Sequence, residues 1–91
     1  MAARIEVETS ADDEFKVRVI EGKSETFHRV TLKRADHQRI CGGKLEPAEL
    51  IRRSFEFLLE HEPKESILSR FDLTIISRYF PSYERAIQKR L

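Results

Sequence analysis

The stretch that most constrains this chain is Pro47 to Glu62, PAELIRRSFEFLLEHE, whose apolar residues recur with the period of a helix. Ile51, Phe55, Leu58 and Leu59 follow an i, i+4, i+7, i+8 spacing, and Leu50 and Phe57 widen the stripe. The ends are marked too. Pro47 suits a first helical turn, and Glu46 and Glu49 favour its positive end. Pro63 pushes the residue before it out of the helical region. A face this broad and apolar must be covered, so the remaining segments are read as its cover.

The cover starts with strands. Arg4 to Thr9 alternates strictly, with Ile5 and Val7 on one face and Arg4, Glu6 and Glu8 on the other. After a polar turn at Ser10 to Asp13, Glu14 to Ile20 alternates again, pointing Phe15, Val17 and Val19 inward. Lys16 and Arg18 are then placed to face Glu6 and Glu8 across the hairpin. Gly22 supplies the permissive backbone of the next turn. Glu25 to Leu32 makes a third strand, with His28, Val30 and Leu32 on one face and Phe27, Arg29 and Thr31 on the other. A three-stranded antiparallel meander is the simplest assembly.

Two helical turns over Ala35–Cys41, stopped by Gly42-Gly43, lead into the main helix. Beyond Pro63, Glu65 to Arg70 reads as a short helix, and Asp72 is a suitable N-cap for the next. Ile76, Phe80, Tyr83 and Ile87 form a helical stripe interrupted by Pro81. The β-branched run Leu73-Thr74-Ile75-Ile76 leaves a fourth strand open as an alternative, with helix preferred.

Length and composition narrow the class. Apolar residues are 40% of the 91 and charged residues 36%, which fits one soluble domain spanning 1–91 with a small core. Domains of this size often gain stability by pairing, so a homo-oligomer or a protein partner is expected. No run of about 18 apolar residues follows Met1 or occurs elsewhere, so no membrane partner is expected and the cytoplasm is the default setting. The single cysteine, Cys41, cannot form an internal disulfide.

Charge is uneven. Residues 28–53 carry seven Lys/Arg (Arg29, Lys33, Arg34, Arg39, Lys44, Arg52 and Arg53) against three acids, whereas the net charge of the whole chain is +1. These seven are the candidate nucleic-acid contacts, since clustered cations neutralise phosphates and release counterions. Against this stand a pI of about 7.9 and Glu56, which lies one turn from Arg52 and Arg53.

Motifs for chemistry are weak. His37 and Cys41 sit one helical turn apart, but two side chains make neither a zinc site nor an oriented nucleophile. Cys41-Gly42-Gly43-Lys44 lacks the Ser or Thr that a phosphate loop needs after its lysine. No catalytic residue, metal or cofactor is expected. Tyr79, Phe80 and Tyr83, crowded near the C-terminus, are the candidate protein interface, because Tyr and other aromatics anchor such surfaces.

The run SFEFLLEHEPKESILSRFDLTIISRYFPSYE, Ser54 to Glu84, resembles a set of small bacterial proteins with no assigned activity, so the resemblance transfers no site residue. The strand–strand–strand–helix order of the N-terminal half is similar to that of HicB-type antitoxin domains, in topology and without that family's glycine-centred strand signature. The expectation is therefore an α+β domain: a three-stranded meander on one main helix, followed by short helices. Its expected role is a non-enzymatic protein-interaction or self-association module of a bacterial cytoplasm. The alternative is a small regulatory, antitoxin-like nucleic-acid binder using the basic segment 29–53.

Overall fold

The computed structural model of the protein describes residues 3–90 and shows an α+β fold. Strands β1 (Arg4–Ala11), β2 (Glu14–Glu21) and β3 (Ser24–Thr31) form the antiparallel meander. Helices α1 (Arg34–Cys41) and α2 (Pro47–His61) follow. A 3-10 turn at Lys64–Ser66 leads to a fourth strand, β4 (Arg70–Asp72), and a second 3-10 turn spans Leu73–Ile75. Helices α3 (Ile76–Tyr79) and α4 (Tyr83–Gln88) end the described chain.

The register realises the charge pairing read from sequence. Glu6 lies opposite Arg18 and Glu8 opposite Lys16. Both hairpins turn through a residue at positive φ, Asp13 in the first and Gly22 in the second. Asp tolerates that region better than most residues with a Cβ, and Gly adopts it freely.

One sheet face builds the core. Val17, Val19 and Val30 are buried there, and α2 lies across it, bringing Phe55 to 5.3 Å from the His28 ring and 5.9 Å from that of Phe71. Each large apolar side chain of this kind contributes about 1.5–3 kcal/mol when fully buried. The other face of the sheet stays open to solvent.

The region after α2 departs from expectation at one place, Glu65–Arg70. Glu65–Arg70 does not continue as a helix. The chain leaves its 3-10 turn extended, and β4 pairs in parallel with β3, Arg29 facing Arg70 and Val30 facing Phe71. The sheet therefore has four strands, and the fourth lies just before the segment weighed as a strand. Leu73–Ile75 is instead a 3-10 turn, started by the Asp72 carboxylate, which accepts from the Thr74 amide at 3.0 Å. Pro81 separates α3 from α4, so the stripe from Ile76 to Ile87 is carried by two short helices that meet at the proline.

His28 ties this region to the sheet. Its Nδ1–H donates to the Leu68 carbonyl at 2.7 Å, which leaves Nε2 to accept from the Thr26 hydroxyl at 2.8 Å. Both ring nitrogens are thus satisfied in the neutral form, and burial pushes the imidazole pKa down.

Candidate interaction site

The chain from Ser66 to Phe80 curls beside the C-terminal half of α2 and encloses a groove of about 400 Å³. Leu58 contributes from α2, Ile67 and Leu68 from the turn, Phe71 from β4, Ile75 from the second 3-10 turn, and Ile76, Tyr79 and Phe80 from α3 and its C-terminal end. Glu62 and Ser66 are its polar members. Short elements explain why the groove stays open. A three-residue strand and a four-residue helix cannot lay continuous side-chain rows over α2 as the meander does.

The groove carries its own protrusions. Leu68 is 48% exposed and Tyr79 66%, the two most exposed large apolar side chains of the C-terminal half among the described residues. Phe80 forms a wall, stacking on His61 at 5.0 Å and meeting Phe57 edge-on at 5.8 Å. These ring contacts fix its orientation without a partner.

The three aromatics read as an interface thus separate. Tyr79 is presented to solvent and Phe80 lines the groove. Tyr83 is a correction: it is fully buried, at 0% exposure, and cannot anchor a partner. Ser54 donates its proton to the Leu50 carbonyl at 2.8 Å, so the Tyr83 hydroxyl donates to Ser54 Oγ at 2.6 Å. Burial pushes the phenol pKa upward, as expected of a hydroxyl sealed in the core. Leu68 and Ile67 went unmarked in the sequence because they belong to no periodic stripe. A lone Ile-Leu pair after a proline is the signal they left.

The basic segment does not assemble into one patch. Arg29 points from the open sheet face and pairs with Glu14 at 3.0 Å. Arg39 binds Glu84 at 2.6 Å, joining α1 to α4, and this bond holds the Glu84 carboxyl below its usual range. Arg52 grips Glu49 and Glu56 along α2. Arg53 shares Glu49 and also donates to the Arg90 carbonyl. Hydrogen bonds from Arg52 and then Arg53 lower the Glu49 pKa to about 2. Among the described residues, only Lys33, Arg34 and Lys44 of the seven lack an ion pair, and all three lie around α1 and its exit.

His37 and Cys41 bond to backbone carbonyls rather than to each other. The His37 Nε2–H donates to the Leu45 carbonyl at 2.6 Å, and the buried Cys41 thiol donates to the His37 carbonyl at 3.4 Å. Gly42 takes the left-handed conformation that closes α1, which accounts for the first glycine of the pair. No group of three or more His, Cys, Asp or Glu side chains among the described residues is placed to hold a metal ion, and no described helix is long and apolar enough to cross a membrane.

No protein-family model, curated protein or solved structure matches this chain.

Proposed function

We propose that this protein is a non-enzymatic interaction module, working in a cytoplasmic setting, that self-associates through the groove beside α2. The observation that carries the reading is a hollow and its fillers on one surface. A groove lined by Leu58, Ile67, Phe71 and Ile76 adjoins two protruding side chains, Leu68 and Tyr79. A two-fold dimer needs such a self-complementary patch, in which each copy's protrusions enter the other's hollow. Exposed apolar surface that the fold gathers into one place, with a polar rim, is typical of protein-binding sites. Catalysis through Cys41 fits poorly, since reactive thiols sit partly exposed in electropositive surroundings and this one is sealed in the core.

The interface is located by mixing two samples. One is labelled with ¹⁵N, and the other carries a spin label at Ser69→Cys, an exposed position beside the groove. Broadening of Ile67, Ile75 and Tyr79 signals in the ¹⁵N chain supports the reading. Broadening confined to the sheet or to α1 rejects it.

A further inference from the structure

The open face of the sheet carries an arrangement that the groove does not explain. Lys16 on β2 lies opposite Arg29 on β3, and Arg29 lies opposite Arg70 on β4. Three cations therefore stand in one row across three neighbouring strands, about 5 Å apart from strand to strand. Like charges directly opposite each other destabilise a sheet. Among the described residues, only one carboxylate offsets the row by direct contact, Glu14 on Arg29 at 3.0 Å. Glu8 faces Lys16 in register without forming an ion pair, and among the described residues none holds Arg70.

Two residues before Arg29 on the same face stands Phe27, 55% exposed. Its neighbour across β2 is Arg18, which is already held by Glu6 at 3.3 Å and Glu25 at 2.7 Å. Phe27 adds nothing to the core on the other face. A bare aromatic ring and a row of cations bound one shallow depression of about 290 Å³, lined by Lys16, Phe27, Arg29 and Arg70 with His28 and Ser69.

We infer that this face binds single-stranded nucleic acid, with a base stacked on Phe27 and backbone phosphates along Lys16, Arg29 and Arg70. Stacking on an aromatic and phosphate neutralisation beside it are the two elements by which sheets hold single strands, and both tolerate any sequence. A bound phosphate would relieve the repulsion within the row. A duplex, whose bases are already stacked on each other, cannot offer one to Phe27. The inference is independent of self-association through the groove, from which it borrows no residue.

The test is fluorescence anisotropy with fluorescein-labelled 12-nucleotide oligo-U and oligo-dT at low salt and again at higher salt. Binding is expected to weaken with salt. Phe27→Ala is expected to weaken it by about 5- to 150-fold, the range for loss of one base–aromatic stack. Phe27→Tyr restores binding and Phe27→Leu does not. Arg70→Ala lowers the magnitude of the logarithmic salt slope by about 0.7, one phosphate of a single strand. Tyr79→Ala binds as the parent does. The inference is overturned if neither oligonucleotide binds at low salt, if Phe27→Leu binds as well as the parent, if a duplex binds as tightly as the single strand, or if uridine monophosphate competes mole for mole with the 12-mer.

Discussion

Two regions of this molecule, the apolar groove and the arginine-bearing face of α2, each looked like a binding surface for a different reason, and the fold treats them oppositely. On α2, Arg52 and Arg53 are held by Glu49 and Glu56 on their own helix and by the Arg90 carbonyl. At the groove, Leu68 and Tyr79 protrude beside a hollow that nothing in the described chain fills. Charge density along a sequence therefore says little about charge available to a partner. Apolar side chains left outside the core by short, discontinuous elements say more.

Sharpening this contrast starts where the effect is largest, with the two tyrosines. Tyr83→Ala is expected to cost about 3–5 kcal/mol, as for other large aromatic truncations in a core, and so to unfold much of a domain this small. Tyr83→Phe, which keeps the ring and loses the bond to Ser54, is expected to cost about 1 kcal/mol. Tyr79→Ala should leave stability within about 0.5 kcal/mol while weakening self-association about tenfold or more. Urea unfolding and sedimentation velocity on the three variants provide the comparison. Equal destabilisation by Tyr79→Ala and Tyr83→Ala would erase the distinction drawn between groove and core.

The pH dependence of stability probes the His28 tie between sheet and groove. His28 binds a proton less readily folded than unfolded, because burial disfavours the imidazolium. The unfolded chain thus holds more protons below its ordinary pKa near 6.5, and stability is full above that value and falls as pH drops through the lower folded pKa. Urea midpoints from pH 7.5 down to 5 should show this decline. In the variant His28→Gln, that part of the decline should vanish. A flat profile in the parent would contradict the buried neutral imidazole.

The smallest effect belongs to the arginine face. Arg52→Ala breaks half-exposed pairs that water and salt partly screen, so it is expected to cost less than about 1 kcal/mol and to leave self-association unchanged. Glu49, held near 2 by its arginines, loses that contribution only as pH falls from about 4.5 through 2, and that part of the decline in urea midpoints should vanish in Arg52→Ala/Arg53→Ala. A large loss of self-association in either variant would move the interface from the groove to α2.

Much of the fold was legible in the residues for a simple reason. Period-2 alternation and a period-3.6 stripe persist over eight or more residues in the meander and in α2, and burial of one face decides their register. β4 is three residues long, too short for any period to declare itself, whereas the stripe from Ile76 to Ile87 showed through in α3 and α4 on either side of Pro81. Arg70-Phe71-Asp72 is a strand because β3 offers it a free edge, which is tertiary information. The same limit applied to the sites. Aromatic crowding singled out Tyr79 and Phe80, which line the groove, but that signal also swept in Tyr83, whose stripe with Ile76 and Ile87 faces the core. The cation row joins residues 16, 29 and 70, which no reading of local charge could align. Phe27 did leave a trace, as an aromatic ring at a water-facing position of an alternating strand.

The central claim, self-association through the groove, is tested most directly by light-scattering mass over a concentration series, for the parent chain beside Leu68→Asp. The account predicts a parent mass that rises from one chain toward two, and a variant that keeps its circular dichroism and stays at one. A parent that remains a single chain throughout, or a Leu68→Asp variant that pairs as the parent does, would contradict it.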